Sequence, residues 1–584
     1  MKIKWSLSFT LLLLFALAAH AQFTYRTNNG AITITGYNGT NNDVVIPSVI
    51  DGLPVTSIGT NAFYGSRLAN VIIPDSVTNI GDYAFFLCWS LSVVTIPSSV
   101  ISIGDGAFSG CSLTSINLPS SVTKIGDSAL VGCWNLATIT VDSANQNYSS
   151  NGGVLFDKDQ RTLIQYPFAK SASYIIPDNV TSIGGHAFYE CTGLTNVTIP
   201  HSVTSIGDSA FGYCTRLTSV SIPNSVTSIA DYAFSDCTSL TSLSIPNTVT
   251  SIGEGAFYDC TSLTNVTISP NLTSIPDFAF EGCVGLISVS VTLSNSIASI
   301  GERAFLFCSS LTSFSIPDSV TSIGERAFSD CTSLASVMIP NSLTSIGDWA
   351  FSGSGVTIVT IPNSVTSIGV GAFYYCFNLT NVTVDSANQK YSSIGGVLFD
   401  KGQTTLIQYP PAKTGASYLI SDTVTSIGDY AFSFCNNLLG VTIPNNVTNI
   451  VYAAFEDCIN LIGIYFQGNA PSLEEGPVFS NDYYATAYYL PGTTGWGTNY
   501  GGLPTTLWAP LILNNTPGFG VQSNGFGFTV SWAANLAVVV EASPTLSNPS
   551  WSPLATNNLV GGSFYFSDPQ WTKYPSRFYR VRSH

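Results

Sequence analysis

The sequence predicts a mainly β repeat solenoid, with coils of about 23 residues that each hold a short strand and a tight helical turn, followed by a small β-sandwich. Three observations predict this fold class. An Ala-Phe pair, once Ala-Leu, recurs fifteen times along the 584-residue chain. All thirteen cysteines fall in one slot of the repeat, and the unit that begins at Ile222 is followed after 23 residues by the unit at Ile245. Such a period is typical of stacked arrays, in which each coil buries its apolar face against its neighbours.

The chain begins with a segment typical of a secretory signal peptide. Lys2 and Lys4 precede an apolar run over residues 5–18, and an Ala-His-Ala cleavage site ends at Ala21. We therefore expect residues 1–21 to be removed and the mature protein to be secreted or held at the cell surface. No later stretch reaches the roughly 18 apolar residues of a membrane span, so we expect no transmembrane segment after cleavage.

The charge of the chain argues against nucleic acid as a partner. Only 9% of the residues are charged, and the chain has 34 aspartates and glutamates but only 18 lysines and arginines. A surface with this excess of negative charge repels polyanions and anionic lipid. The hydrophobic residues make up 45% of the chain and recur with a strict period, which indicates a continuous core rather than disorder.

Each unit opens with residues suited to a short strand. Leu240, Leu243 and Ile245 follow the spacing L-x-x-L-x-L, which turns alternate side chains inward on a strand. Pro246 then ends the strand, because proline has no N–H to donate.

The rest of the unit is predicted to return the chain to the next strand. Val249 and Ile252 point a second segment into the same core, and Gly253 permits a turn. Ala256-Phe257 is predicted to begin a tight helical turn that closes the coil. Burying a large apolar side chain contributes about 1.5–3 kcal/mol, so several inward residues per coil are enough to drive stacking.

The strand followed by the pattern I-P-x-S-V-T-S-I-G-D-x-A-F-x-x-C resembles the BspA-type leucine-rich repeat, a family of exported bacterial and protist surface proteins. The resemblance implies a leucine-rich-repeat right-handed superhelix and a role in adhesion or in contact with a host or matrix. It also implies caps over the terminal coils, which solenoids need. We therefore expect an N-terminal cap over 22–57, the repeat solenoid over 58–462 and a C-terminal cap over 463–508.

Two units depart from the period, and each is predicted to hold a hairpin inserted in a coil, at 141–178 and 384–422. They are near copies of one another, which indicates that a block of repeats was duplicated. In the first copy, residues 154–156 and 163–166 have the composition of two strands across a polar turn. These units could have a function of their own, or they could be a structural variant of the repeat.

The cysteine column allows two interpretations. Its members are Cys88, Cys111, Cys133, Cys191, Cys214, Cys237, Cys260, Cys283, Cys308, Cys331, Cys376, Cys435 and Cys458. Disulfides are one interpretation, because stacked strands bring equivalent Cα atoms within the range of about 4.4–6.8 Å that a disulfide spans. Free, buried thiols are the other, and we favour them because the count is odd, the side chains of one column point the same way, and Gly353 fills the slot in one unit. A zinc site is not expected, since no Cys-x-x-Cys pair has histidines nearby.

An acidic column precedes the Ala-Phe pair in eleven of the fifteen units. Its members are Asp82, Asp105, Asp127, Asp208, Asp231, Glu254, Asp277, Glu302, Glu325, Asp348 and Asp429. Stacked carboxylates could bind calcium, or each could cap the turn that it precedes. We favour the cap, because the glycine-rich D-x-D loop of a calcium cage is missing, and we expect no metal and no cofactor.

The outward slots of the L-x-x-L-x-L strand are the predicted ligand-binding residues. They hold small hydrogen-bonding side chains, which are Asn196, Thr198, Ser219, Ser221, Ser242, Ser244, Asn265, Thr267, Ser288, Ser290, Ser313 and Ser315. This row could bind a polypeptide or a glycan, or it could merely solvate the sheet. Binding hot spots are usually aromatic or arginine, so Tyr213, Trp349, Tyr374 and Tyr375 are stronger anchors if they are exposed.

The sequence contains no recognisable catalytic motif. The mature sequence has three histidines, His186, His201 and His584, and none lies in a G-x-S-x-G or H-E-x-x-H context. We therefore predict no catalytic residues and a monomeric, non-enzymatic protein that binds an extracellular protein or glycan. The alternative is a passive structural surface protein without a specific ligand.

The period stops after Trp508, and residues 512–584 are predicted to form the small β-sandwich. Alternating residues over 526–532 and an apolar run over 537–540 indicate strands. Arginines 577, 580 and 582 form a basic cluster, which could be recognised by export or attachment machinery or could be a solvated edge strand.

Overall fold

The computed structural model describes residues 22–291, 296–474, 476–533 and 536–583, so the predicted signal peptide and its cleavage site at Ala21 lie outside the described residues. The described chain is a β-solenoid of about 20 turns, as the repeat pattern predicts, and its single helix is the 3-10 turn Trp571–Lys573. The chain divides into two compact units. Unit 1 contains Met1–Gly355 and Ser367–Ala372, and unit 2 contains Val356–Thr366 and Phe373–His584. No described helix has the length and apolar character to cross a bilayer.

The L-x-x-L-x-L segments form parallel sheets, here called the front sheets. In unit 1 their strands are Asp43–Val45, Asn70–Ile72, Val93–Thr95, Ser115–Leu118, Thr138–Val141, Ser173–Ile175, Asn196–Thr198, Ser219–Ser221, Ser242–Ser244, Asn265–Ile268, Ser288–Val291, Ser313–Ser315 and Ser336–Met338. In unit 2 they are Ile358–Ile361, Asn381–Val384, Ser417–Leu419, Gly440–Ile443, Gly463–Phe466, Thr486–Tyr489 and Leu503–Leu507, with Asn499–Tyr500 antiparallel at the end.

The second segment of each coil also forms strands, which the sequence pattern did not assign. These side sheets begin in unit 1 with Phe23–Asn28, Ala31–Tyr37, Val49–Ile50, Leu53–Ile58, Asn79–Ile80, Ser102–Ile103 and Lys124–Ile125. They continue with Ser182–Ile183, Ser205–Ile206, Ser228–Ile229, Ser251–Ile252, Ser274–Ile275, Ser299–Ile300, Ser322–Ile323, Ser345–Ile346 and Ser367–Ile368. In unit 2 they are Ser426–Ile427, Asn449–Ile450 and Ser472–Leu473.

The turn at the Ala-Phe pair is not the predicted helical turn, because every second amide there bonds to the next coil. The Phe234 N–H donates to the Ala256 carbonyl of the next coil at 2.8 Å, and the Asp236 N–H donates to the Tyr258 carbonyl at 2.7 Å. A helix would use both amides within its own segment. Tyr232 and Asp236 also have φ of 53° and 55°, in the left-handed region that interrupts a right-handed helix.

A column of buried phenylalanines runs through the core beside these turns. The Phe234 ring has no exposed surface and stacks on Phe211 at 5.0 Å and on Phe257 at 5.7 Å, with interplanar angles of 5° and 9°. Phe257 and Phe280 continue the column at 5.4 Å. The stacked rings therefore join each coil to the two beside it.

The two long units form antiparallel strands that the sequence predicted only in part. The strands are Tyr148–Asn151, Val154–Asp157 and Thr162–Gln165 in unit 1, and Tyr391–Ile394, Val397–Asp400 and Thr405–Gln408 in unit 2. The first strand of each set was not predicted. The last strand of each set pairs in parallel with the next coil, so the stacking continues beyond the hairpin.

The chain after Trp508 forms two antiparallel sheets. One contains Leu511–Leu513, Gly520–Gln522, Gly525–Ser531 and Ser563–Asp568, and the other contains Ala537–Ser543, Ser552–Asn558 and Phe578–Ser583. Both sheets contribute side chains to one buried cluster, such as Phe528 from the first and Val540 from the second. The sandwich, like the other domain boundaries, stays a prediction.

The basic cluster lies at an edge of the second sheet and is ion-paired. Arg580 and Arg582 both contact the buried Glu541 carboxylate, at 2.7 and 2.9 Å, and Arg577 contacts Asp568 at 2.7 Å. The arginine charges are therefore largely balanced within the domain.

Candidate functional site

The twelve predicted ligand-binding residues lie in register on the front sheets. Asn196 pairs with Ser219 and Thr198 with Ser221 on adjacent strands of one sheet. On the neighbouring sheet the pairs are Ser242 with Asn265, Asn265 with Ser288, and Ser288 with Ser313. Each of these side chains is exposed or partly exposed, and it alternates with an inward Val, Leu or Phe. The structure thus gathers the predicted residues into two outward columns, here called the polar row.

Most of the polar row has no hydrogen-bond partner within the described protein. Ser288 Oγ donates to Asn265 Oδ1 at 2.7 Å, and Asn265 Nδ2 donates to Thr264 Oγ1 at 3.1 Å. The other ten side chains make no side-chain hydrogen bond to another described residue. Their donors and acceptors therefore face outward, where solvent or a ligand can reach them.

The threonines beside the polar row behave differently. Thr241 Oγ1 donates to the Thr218 carbonyl at 3.3 Å, and Thr264 Oγ1 donates to the Thr241 carbonyl at 3.0 Å. The sequence analysis assigned no role to this slot, because its hydroxyl side chains give no signal of the backbone acceptor in the preceding coil. These threonines therefore link one coil to the next, whereas most side chains of the polar row make no such bond.

The four aromatic anchor candidates differ in exposure. Tyr213 and Tyr375 expose 42% and 41% of their surface, while Tyr374 and Trp349 are partly buried. The Trp349 ring lies where a Cβ on Gly371 would come within 2.6 Å, so it covers that glycine. Tyr213 and Tyr375 are therefore the better placed of the four to meet a ligand.

The thirteen cysteines are buried, free thiols, as the favoured interpretation predicts. The Cys237 thiol donates to the Phe211 carbonyl of the preceding coil at 3.2 Å, and Cys260 makes the same contact with Phe234. Loss of solvation raises the pKa of Cys88 and Cys133 to about 12. These thiols stay protonated at neutral pH and act as weak donors between coils.

We expect thiol titration to distinguish this arrangement from disulfides. The protein unfolded in guanidinium without a reductant should release close to thirteen reactive thiols, whereas the folded protein should react slowly because the thiols are buried and protonated. A reduced and desalted sample serves as the control for the full count. A count that rises by two or more after reduction would show that disulfides are present.

Five of the eleven carboxylates in the acidic column accept a backbone N–H of the next coil, and they are Asp82, Asp105, Asp231, Asp277 and Asp348. Asp231 Oδ1 accepts the Glu254 N–H of the next coil at 2.8 Å, and Asp82 Oδ1 accepts the Asp105 N–H at 3.0 Å. The prediction that each carboxylate caps the turn it precedes is therefore wrong for these five, since each accepts an amide of the adjacent coil. In the described part of the chain, no three His, Cys, Asp or Glu side chains are grouped so as to hold a metal ion.

The parallel coils, the inward leucine spacing and the outward polar row define the class of leucine-rich repeat proteins. A family model described as the BspA type leucine rich repeat region, with six copies, matches residues 56–156, 162–287, 287–405 and 414–494. The chain belongs to the BspA-type leucine-rich repeat family.

Solved structures of bacterial leucine-rich repeat proteins are similar to this chain. A protein of Eubacterium ventriosum is 26% identical over 57% of this chain and 92% of its own, with a TM-score of 0.45. A protein of Bacteroides ovatus is 29% identical over 62% of this chain and 92% of its own, with a TM-score of 0.39. A leucine rich cell surface protein of Faecalibacterium prausnitzii is 21% identical over 81% of this chain and 89% of its own, with a TM-score of 0.24. No curated protein matches the sequence.

Proposed function

We propose that this protein is an exported, non-enzymatic surface protein that binds an extracellular protein or glycan through the polar row. One observation carries the proposal: the outward Ser, Thr and Asn side chains stand in register, yet ten of the twelve make no side-chain hydrogen bond within the described protein. The signal-like N-terminus and the BspA-type repeats support export and a surface role.

The geometry of the polar row favours an extended ligand. Neighbouring strands of a sheet lie about 4.8 Å apart, so the row offers hydrogen-bonding groups at regular intervals along its length. A single hydrogen bond to a neutral hydroxyl contributes only about 0.5–1.5 kcal/mol. Useful affinity therefore needs many contacts at once, which a polysaccharide or an extended polypeptide can make and a small molecule cannot.

A passive structural role is the competing function. Unused hydroxyl groups also keep a sheet hydrated and soluble without any ligand. The two functions predict different results when the hydroxyl groups of the polar row are removed. A binding role predicts a loss of affinity for a ligand, whereas a passive role predicts that no ligand binding depends on these groups.

Glycan and extracellular-protein arrays probed with residues 22–584 test the proposal. A row variant carries the substitutions Ser219→Ala, Ser242→Ala, Ser244→Ala and Ser313→Ala. We expect it to bind the ligand found on the arrays at least about tenfold more weakly than the wild type, because four hydrogen bonds are removed. A matched control replaces four other exposed polar residues of unit 1, with the substitutions Asn224→Ala, Ser262→Ala, Ser333→Ala and Asn341→Ala.

The control variant should keep affinity within about twofold of the wild type, because surface substitutions away from the binding residues have small effects. If neither array yields a reproducible ligand, or if the row variant binds as tightly as the control, the proposed binding function of the polar row is wrong and the passive role is favoured.

A further inference from the structure

Unit 2 holds a cluster of aromatic side chains on its turns, at a surface that does not include the polar row. The cluster, here called the aromatic patch, consists of Tyr374, Tyr375, Phe377, Tyr430, Phe434 and Tyr452. Three of these residues are well exposed: Phe377 at 47%, Tyr375 at 41% and Tyr452 at 39%. Exposed aromatic rings that contact one another are typical of recognition surfaces.

The long unit of residues 384–422 brings the patch together. Tyr409 takes the place of the stacked phenylalanine in this coil and lies 5.2 Å from Phe432, so the core column continues. Two prolines follow Tyr409 where other coils have the turn that ends in cysteine. Tyr374 and Tyr375 of the coil before therefore meet Phe434 of the coil after, with ring centroids 5.5 and 4.5 Å apart.

The angles between the rings favour a cation over a sugar. Phe434 meets Tyr374, Tyr375 and Phe377 at 73°, 84° and 85°. A sugar ring packs best on a flat aromatic face, whereas rings at these steep angles do not form one flat platform. A guanidinium or ammonium group needs only a ring face within about 6 Å, so the exposed neighbouring rings of Tyr375 and Phe377 suit a cationic side chain.

The charge around the patch favours the same ligand. Tyr374 Oη donates to Glu456 Oε2 at 3.1 Å, Asp457 follows Glu456, and Asp429 precedes Tyr430. Residues 373–508 contain nine carboxylates, three lysines and no arginine. Within the described residues, none of the ion pairs involves Asp429, Glu456 or Asp457. The patch is therefore aromatic and bordered by negative charge, which complements a basic segment and repels an anionic membrane.

We propose that the aromatic patch binds an arginine- or lysine-bearing segment of an extracellular protein. The cationic side chain packs against the rings of Tyr375 and Phe377, and Glu456 provides the balancing charge. This inference goes beyond the proposed function, because it uses a different surface and a different chemistry, so either can fail without the other.

Fluorescence anisotropy with the mature chain and short labelled peptides of equal length tests the inference. The probes are a Gly-Arg repeat, a Gly-Ser repeat, a Gly-Glu repeat and labelled maltohexaose as a neutral sugar. The patch variant carries Tyr375→Ser and Phe377→Ser, and a second variant carries Glu456→Gln. The matched control is Trp89→Ser, since Trp89 is 64% exposed and follows its cysteine as Phe377 follows Cys376.

We expect the wild type to bind the Gly-Arg peptide, and the patch variant to bind it about tenfold more weakly, because two π faces are removed. Glu456→Gln should weaken binding about threefold, and Trp89→Ser and the row variant should stay within about twofold of the wild type. The substituted rings are exposed, so the melting temperature of each variant should match that of the wild type.

Three results would overturn the inference. The first is equal binding of the Gly-Arg and Gly-Ser peptides by the wild type. The second is unchanged Gly-Arg binding in both the patch variant and Glu456→Gln. The third is a wild type that binds maltohexaose but not the Gly-Arg peptide, together with a patch variant that no longer binds maltohexaose. That result would identify the patch as a glycan-binding surface. A ligand from the arrays that the row variant loses and the patch variant keeps would support the proposed function, whatever the outcome with the Gly-Arg peptide.

Discussion

Replacing Phe234 with alanine is expected to lower the free energy of unfolding by about 3–5 kcal/mol, the usual cost of removing a buried aromatic ring. The ring has no exposed surface and stacks on both Phe211 and Phe257. Its neighbours cannot close the cavity easily, because hydrogen bonds between coils hold the backbone on both sides. Urea denaturation followed by circular dichroism measures the loss.

Trp89→Ala is the control for this prediction, since it removes a larger ring from a 64% exposed position. Its effect should stay within about 0.5 kcal/mol, as for most surface substitutions. Repeat arrays are stabilised by contacts between neighbours, so the Phe234→Ala loss should appear as an earlier unfolding transition. If the two variants unfold at the same urea concentration, the phenylalanine column does not stabilise the stack as we propose.

Replacing Asn145 with alanine is the second change with a large expected effect, about 3–4 kcal/mol. The Asn145 side chain is fully buried, and its Nδ2 donates to the carbonyls of Pro119 and Val122, both at 2.9 Å. Its Oδ1 accepts the amides of Asn147 and Tyr148, both at 2.8 Å. Alanine would leave four backbone groups without this partner, and each buried group left unpaired costs about 1–3 kcal/mol before water or small shifts compensate.

Gln146→Ala is a matched control in the adjacent position. Gln146 is exposed and makes one side-chain hydrogen bond, from Nε2 to the Ala144 carbonyl at 2.8 Å. Its loss should cost less than about 1 kcal/mol. Thermal unfolding of both variants measures the difference, and a melting temperature for Asn145→Ala no lower than that of Gln146→Ala would contradict the prediction. The equivalent pair, Asn388 and Gln389, allows the same comparison in unit 2.

Features that depend on one coil could be predicted well from the sequence. The spacing of Leu240, Leu243 and Ile245 indicated a strand with inward leucines, and the structure places Ser242–Ser244 there with Leu243 buried. The shared slot of the cysteines indicated buried thiols, which the structure confirms. The outward polar slots were also placed on the exposed side of the front sheets.

Features that depend on the partner coil could not be predicted in the same way. The turn at Ala256-Phe257 has the length of a helical turn, but every second amide in it donates to a carbonyl of the next coil. The carboxylate of Asp231 likewise bonds to the amide of Glu254 in the next coil. Asn145 was not singled out from the sequence, and its burial depends on the packing of its loop against Pro119 and Val122.

The sequence by itself determined the repeat class, the inward and outward slots, and the acidic character of this protein, because these follow from the spacing and composition of neighbouring residues. Only the tertiary structure decided which side chains meet across coils. Tyr374 and Tyr375 were candidates from the sequence, but Glu456 lies 82 residues beyond Tyr374 and reaches it only because the long unit interrupts the regular turns. A local pattern determines whether a side chain faces in or out, while the contacts that it makes there depend on how the coils stack.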